Sequence, residues 1–227
     1  AFVLYGLSWV FGIAGTTNLT AITERIVAAP ATSNLGMFRL AMVLIIAGLS
    51  FRITAVPFHF YAPDVFQGVT TSSAAMLSFV PKVVGFTALL RLLPVCFGSV
   101  GFTDWVPSGA VRVVLMVIAI LTMFVGNLLA LRQTSIMRLL AYSSIAHAGY
   151  MLVGLTVGNA SGGTSGVAAL LFYLSMYGIM TIGLFALITA AGSFARPLRS
   201  LSDLAGLSKS HPAIALMMAV CLIGLSG

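Results

Sequence analysis

The amino-acid sequence predicts an all-α protein that crosses the membrane several times as a transmembrane helix bundle. Of its 227 residues, 60% are hydrophobic, and its mean hydropathy is +1.13. Only 7% of the residues are charged, whereas ordinary soluble domains contain about 25%. The apolar runs are roughly 20 residues long, which is the length that crosses a bilayer as a helix. They lack the polar and apolar alternation of transmembrane strands, so the sequence does not predict a barrel.

About seven helical segments are predicted, and together they form one transmembrane domain over residues 1–227. Their predicted boundaries are 1–14, 35–56, 72–95, 109–131, 135–157, 164–192 and 211–227. Glycine, proline and charged or polar residues begin the connections and are typical of helix ends. In order along the chain, the six connections begin at Gly15, Pro57, Gly98, Arg132, Gly158 and Ser193, and the last of them ends at Lys209.

The second segment ends at a proline. Pro57 has no backbone N–H, and its ring clashes with the preceding helical turn. We therefore predict a broken helix near Pro57, with the stretch that follows it exposed to a hydrated cavity. The alternative is that Pro57 simply ends the helix, and that an interfacial loop follows with Tyr61 and Phe66 as anchors.

The first and last segments are shorter than a complete membrane span. Residues 1–14 have no basic amino-terminal region and no small-residue cleavage site, so we predict no signal peptide. Residues 213–227 form an apolar run of 15, whereas a span requires roughly 20 residues. We therefore expect the chain to be the central part of a longer polypeptide.

The charged residues exclude one class of partner. The formal net charge is +7, but the basic residues are scattered singly and form no patch for phosphate recognition, so we predict no nucleic acid partner. The expected surroundings are the lipid bilayer. Two groups of basic residues lie on opposite sides of the predicted bundle, and the positive-inside rule favours the first group being cytoplasmic. The first is Arg132, Arg138, Arg196, Arg199 and Lys209; the second is Arg25, Arg39, Arg91 and Arg112.

Lys82 is the most informative residue. It is one of two lysines and lies in the middle of a predicted span, where insertion of a lysine costs about 2.5–3.5 kcal/mol. Lys82 lies about 15 Å along its helix and His147 about 18 Å along its own, so both are expected near the membrane midplane. An ionisable group there indicates a functional site. The structural alternatives are a lysine that bonds nearby carbonyls and a histidine that is a satisfied core residue.

His147 belongs to a series of polar residues along its predicted helix. Residues spaced by three and four share one face of a helix, and this spacing predicts a polar stripe on the fifth segment. Tyr173 and Tyr177 are separated by four residues on the next segment and extend the stripe, or else they pack as core residues whose hydroxyls bond a neighbour. The stripe consists of Ser143, Ser144, His147 and Tyr150.

Arg52 and His59 flank the predicted break and are further candidates at membrane depth. All four acidic residues fall in predicted loops or breaks, so no carboxylate within a predicted span pairs with Lys82. They are Glu24, Asp64, Asp104 and Asp203. The two cysteines, Cys96 and Cys221, form no CxxC motif or cluster, and no Gly-rich βαβ fingerprint occurs. We therefore predict no flavin, iron or nicotinamide site in this chain.

Three stretches carry a family resemblance. They read FRITAVPFHFYAPDVFQGVTTSSAAMLSFVPKVVGFTALLRLL over 51–93, GNLLALRQTSIMRLLAYSSIAHAGYMLVGL over 126–155, and DLAGLSKSHPAIALMMAVCLIGLSG over 203–227. In this order they resemble subunit N of the proton-pumping NADH:quinone oxidoreductase, respiratory complex I.

The resemblance implies an antiporter-like fold of about fourteen helices, in which midplane charges carry protons through hydrated half-channels. Lys82 matches the family's central lysine and His59 its histidine after the break, and His147 is expected to relay protons. It also implies a bacterial-type inner (plasma) membrane, other membrane subunits as partners, and quinone reduction elsewhere in the complex. FMN, iron–sulfur clusters, NADH and quinone would bind those other subunits.

Two residues depart from the family pattern. Arg52 stands where the family usually has lysine, and a guanidinium does not release its proton, so we expect a fixed charge there. Met137 stands where many relatives have a basic residue. Two alternatives stay open: a membrane subunit of a cation/proton antiporter or hydrogenase-type complex, and a structural membrane anchor that does not pump.

Overall fold

The computed structural model describes residues 1–28, 35–97, 105, 107, 109–158, 165–192 and 198–226. Asp104 and Arg196 lie outside these residues. The predicted all-α class is confirmed, because the described residues form helices and no strand longer than an isolated bridge. The α-helices are α1 (Phe2–Ala14), α2 (Leu19–Ala28), α3 (Leu35–Arg52), α4 (Ala62–Gly68), α5 (Thr71–Leu92), α6 (Gly109–Leu131), α7 (Ile136–Val157), α8 (Gly166–Ala191), α9 (Leu207–Ser210) and α10 (Pro212–Ser226).

Four of the described helices, α5 to α8, are long and apolar enough to cross a membrane. A fifth span is possible if α1 and α2 are counted together, although a bend of 61° separates them. Gly15 ends α1 in the left-handed conformation, with φ of 61°, which glycine adopts without steric cost. The Arg25 guanidinium of α2 donates back to the Ala14 carbonyl, so it satisfies one acceptor at the end of α1.

Three helices, α2, α4 and the four-residue α9, are not predicted from the sequence, because they lie in stretches that we predict as connections. Helix α2 is amphipathic and contains too many polar residues to form an apolar run. Ile22 and Thr23 are buried, while Glu24 and Arg25 are exposed. In α4 a proline in the first turn and Asp64 behind it fit the positions that favour a helix start.

The predicted break near Pro57 is confirmed, and it begins earlier than Pro57 itself. Helix α3 ends at Arg52, and Thr54 adopts a positive φ of 60°. The Val56 N–H donates to the Thr122 hydroxyl at 3.0 Å, and the Tyr61 hydroxyl donates to the Phe51 carbonyl at 2.9 Å. Since Thr122 is fully buried near the middle of α6, the break lies at the depth of the bundle interior.

Two apolar clusters hold the bundle together. The first joins α1 and α3 to α5, α7 and α8, and the second joins α4 to α7, α8 and α10. Met137 is 9% exposed and belongs to the second cluster, beside Phe66 and Phe185. The position that departs from the family pattern is therefore a core position in this chain.

The connection after α6 and the segment that follows α8 lie side by side. Ser135 and Ser200 form an antiparallel bridge, in which the Ile136 N–H donates to the Arg199 carbonyl and the Leu201 N–H to the Thr134 carbonyl, each at 3.0 Å. These contacts bring the two basic connections of the first group to the same face, as the sequence predicts. The cytoplasmic orientation of this face stays a prediction.

Glycines allow α6 and α7 to approach closely. A Cβ atom on Gly126 would lie 2.7 Å from the Ala146 backbone nitrogen, and one on Gly149 would lie 2.9 Å from the Met123 backbone nitrogen. Small residues at such contacts are the usual means by which membrane helices pack, because lipid tails supply no hydrophobic driving force between helices.

We expect Gly126→Ala to lower stability by about 1–3 kcal/mol, the usual cost of overpacking, because backbone atoms of α7 cannot move aside as a side chain can. Thermal unfolding of the purified protein in detergent measures this change. Gly12→Ala in α1 is the matched control, since its Cβ would meet nothing within 4 Å. Equal melting temperatures for the two variants would contradict the close contact.

Asp203 stabilises the turn that follows α8. Its carboxylate accepts the N–H groups of Arg199 at 3.0 Å and Ser200 at 2.8 Å. These hydrogen bonds favour the ionised form and lower the pKa of Asp203 below its ordinary value. The stabilisation is therefore complete above the ordinary pKa, and it is lost as the pH falls through the lowered one.

We expect Asp203→Asn to speed amide hydrogen exchange at Arg199 and Ser200 at neutral pH, because the charged acceptor is removed. Hydrogen-exchange mass spectrometry of this segment checks the result. Asp64→Asn is the control, since Asp64 pairs with Arg138 instead. Unchanged exchange in Asp203→Asn would show that the capping contact does not hold the turn.

Candidate functional site

Lys82 lies in the middle of α5, eleven residues after Thr71 and ten before Leu92. It is 2% exposed, so the predicted burial at depth agrees with the structure. Pro81 lies inside the same helix, directly before the lysine. A proline has no N–H to donate to the Leu77 carbonyl, so α5 lacks one helical hydrogen bond in the turn that leads to the lysine.

The Lys82 ammonium contacts three helices. Its Nζ donates to the Ser78 carbonyl of its own helix at 3.3 Å and to the Ser144 hydroxyl of α7. It also lies 5.4 Å from the ring centroid of Tyr177 on α8, within the range of a cation–π interaction. In the described part of the chain its polar partners are neutral, so its charge is held by a carbonyl, a hydroxyl and an aromatic face.

His147 occupies the same depth on α7, eleven residues after Ile136. It is 5% exposed, and its Nδ1 lies 2.7 Å from the Tyr173 hydroxyl of α8. The ring of His147 packs against those of Tyr150 and Tyr177, with centroid distances of 5.6 and 5.2 Å. Tyr177 therefore contacts both Lys82 and His147 and joins their surroundings.

The predicted polar stripe on α7 is divided between the interior and the surface. Ser144 and His147 are buried, Ser143 is half-buried, and Tyr150 is 41% exposed. The Tyr150 hydroxyl accepts a hydrogen bond from Asn127 of α6 at 3.2 Å, and Asn127 is exposed as well. Tyr173 and Tyr177 adjoin the buried part of the stripe through His147, whereas Asn127 was not singled out in the sequence.

Arg52 and His59 lie apart from this group. Arg52 is exposed at the end of α3, and its Cβ would be 3.5 Å from a Cβ on Gly85, one turn beyond Lys82. His59 is half-buried in the break, and its Nδ1 is buried without a hydrogen-bond partner among the described residues. Within that part of the chain, neither side chain contacts Lys82.

One connected group, the polar row, is formed by Lys82, Ser144, Tyr177, His147 and Tyr173. A neutral amine, an imidazole and hydroxyl groups can each donate and accept hydrogen bonds, so they can transfer protons along a series of hydrogen bonds. Their position at the middle of three apolar helices is costly and is typical of an ion or proton pathway. Among the described residues no three His, Cys, Asp or Glu side chains are placed to hold a metal ion.

Comparison with known proteins shows the family of this chain. Residues 1–227 match the family described as NADH:quinone oxidoreductase/Mrp antiporter, TM. The chain is 43% identical over 226 residues to the NADH-quinone oxidoreductase subunit N of Trichlorobacter lovleyi, and this match covers 100% of the chain and 44% of that protein. The chain thus spans less than half the length of this curated relative.

Two solved structures are similar in fold. A chain of respiratory complex I from Thermus thermophilus is 34% identical with a TM-score of 0.75, and the match covers 99% of this chain and 44% of the other. A chain of the Mrp complex from Dietzia sp. is 25% identical with a TM-score of 0.82, covering 100% and 39%. The match over the whole sequence and the apolar helices lead to one conclusion: this chain is an integral, multi-pass membrane protein that belongs to the NADH:quinone oxidoreductase/Mrp antiporter transmembrane family.

Proposed function

We propose that this chain forms the central, proton-translocating part of a subunit N of NADH:quinone oxidoreductase. The observation that carries the proposal is the buried Lys82 at mid-depth, in contact with Ser144 and Tyr177 and beside the His147–Tyr173 pair. The 43% identity to a protein of that name supports the choice of complex.

In this proposal Lys82 is the group that switches between charged and neutral forms. Lys82 takes up a proton from one side of the membrane and then releases it into the polar row. There His147 is the relay and Tyr173 is its hydrogen-bonded partner. His59 serves as a second relay at the break. Arg52 keeps its proton, so it acts as a fixed positive charge near the Lys82 helix.

The redox chemistry lies outside this chain. FMN, iron–sulfur clusters, NADH and quinone bind other subunits, and other membrane subunits of the respiratory complex are the direct partners. The subunit resides in a bacterial-type inner membrane. Energy from quinone reduction then reaches Lys82 as a change in the electrostatic field or packing around the polar row.

A second candidate is a membrane subunit of a cation/proton antiporter. The similarity to the Mrp complex supports it, with 25% identity and a TM-score of 0.82. In either proposal Lys82 is the group that carries the proton, so the driving force distinguishes the two functions. NADH oxidation drives proton movement in the first case, and a sodium gradient drives it in the second.

Replacing Lys82 tests the proposal. We expect Lys82→Ala to lower NADH-driven proton uptake into vesicles on the order of tenfold or more, as loss of a proton-transferring side chain does in catalysis. The rate is normalised to assembled complex and to NADH oxidation. Lys209→Ala is the matched control, because Lys209 is the other lysine of the chain and is exposed.

Unchanged uptake per NADH in Lys82→Ala would overturn the proposed role and would favour the structural anchor. Uptake that depends on sodium rather than on NADH would favour the antiporter. Normal pumping in Lys209→Ala ensures that loss of a lysine as such does not account for the effect.

A second prediction concerns the His147–Tyr173 pair. Tyr173→Phe removes the hydroxyl and keeps the ring, and we expect it to slow proton uptake about fivefold, the factor that corresponds to one net hydrogen bond. Tyr5→Phe is the control, since Tyr5 is exposed on α1. The same substitution made in a His147→Ala background should have little further effect. Fully additive effects would contradict coupling between the two side chains.

A further inference from the structure

We infer that the cavity at the bend between α1 and α2 binds one acyl chain of an anionic phospholipid, whose phosphate group is held by arginine side chains at the rim of the cavity. Lys82, His147 and His59 do not line this cavity. The inference therefore concerns a site outside the polar row and does not depend on the proposed function.

The cavity is formed by α1, α2, α3 and the end of α5, and its volume is about 280 Å³. This volume is close to the lower limit of ligand pockets, roughly 300 Å³, and far exceeds the roughly 30 Å³ that one water occupies in the liquid. Most of the lining is apolar, so water inside would lack hydrogen-bond partners, and an apolar ligand is favoured. The buried part of the lining consists of Val10, Ile22, Phe38, Met42, Ile45 and Val95.

Exposed side chains of α1 form one edge of the cavity. Leu7 and Phe11 line it and are 39% and 53% exposed. At the end next to the bend, the lining residues are instead Thr16 and Thr17, and the Thr16 hydroxyl accepts the Asn18 N–H at 3.2 Å. The cavity is thus accessible from the outer surface of α1, and its lining changes from apolar to polar toward the bend.

The depth of the cavity fits a molecule with an apolar and a polar end. Leu92 lines the cavity and lies ten residues beyond Lys82 in α5. At 1.5 Å per residue, Leu92 is about 15 Å from the lysine along the helix. With Lys82 near the midplane, Leu92 lies close to the boundary of a hydrocarbon core that is roughly 30 Å thick. At this level the acyl chains of a phospholipid meet its head group.

Arg25 lies at the polar end of the cavity. Its Nη1 donates to the Ala14 carbonyl and would lie 3.2 Å from a Cβ atom on Gly15, so the guanidinium is beside the turn that carries Thr16 and Thr17. A guanidinium has five N–H donors, and the bond to Ala14 uses one of them. Since Arg25 is exposed, its remaining donors are available to phosphate oxygens.

Two further arginines adjoin the lining. Arg39 follows Phe38 in α3, Arg91 precedes Leu92 in α5, and both are exposed. In the part of this face that the structure describes, Glu24 is the acidic residue, so the three arginines leave an excess of positive charge. Arginine binds phosphate with two parallel hydrogen bonds. A phospholipid with a net negative charge therefore complements both the apolar cavity and its basic rim.

Photolabelling of the full-length protein, within its membrane complex in lipid nanodiscs, tests the site. The probe is phosphatidylglycerol with a photoreactive diazirine in one acyl chain, and phosphatidylcholine with the same chain is the comparison without net charge. We expect phosphatidylglycerol to label peptides from residues 7–22 and 38–45 at least fivefold more strongly, the factor for one basic residue that attracts an anionic lipid. Equal labelling of these peptides by the two lipids would overturn the inference.

Two variants separate the basic rim from the apolar cavity. Arg39→Gln removes one charge and keeps the lining, so we expect labelling by phosphatidylglycerol to fall about fivefold. Val10→Phe fills part of the cavity, and we expect it to lower labelling by both lipids. Arg112→Gln is the matched control, because Arg112 is exposed near the start of α6 and is not adjacent to a lining residue.

The remaining outcomes decide the inference. Equal losses in Arg39→Gln and Arg112→Gln would assign the effect to general surface charge and overturn it, as would unchanged labelling in Val10→Phe. Electron cryomicroscopy of the complex should show acyl-chain density in the cavity. Protein side chains that fill the cavity, from the rest of the longer polypeptide or from a neighbouring subunit, would also overturn the inference. None of these results depends on proton uptake in Lys82→Ala.

Discussion

The absence of water in the hydrocarbon layer is the constraint on which the rest of this structure depends, because each polar group there must find its partner inside the protein. At the break between α3 and α4, the side chain of Thr122 supplies the partner that a regular helix would supply to Val56. Lys82 meets the same requirement through Ser78, Ser144 and the ring of Tyr177. The break and the polar row are thus two solutions to one problem, and both place polar atoms at mid-depth.

The sequence was sufficient for features that depend on composition and local spacing. The lengths of the apolar runs predict α5 to α8 well, and the depths of Lys82 and His147 follow directly from those lengths. The break at Pro57 could be predicted because proline acts on its own turn. In contrast, α2, α4 and α9 were missed because short helices with polar residues resemble connections, and tertiary contacts rather than apolar length stabilise them.

The partners within the site could not be predicted in the same way. Ser144 is 62 residues from Lys82, and Thr122 is 66 residues from Val56, so nothing in local spacing relates them.

Helix α6 has a further consequence, although it contributes few polar side chains. Its Thr122 fixes the break of α3, while Gly126 and Met123 fix the axial position of α7 through backbone contacts with Ala146 and Gly149. One helix therefore sets the axial positions of both the α3 break and α7. A shift of α6 by one residue, about 1.5 Å along its axis, would break its contacts with both the α3 break and α7. The relative height of the break and of His147 in the membrane is therefore set by a largely apolar helix.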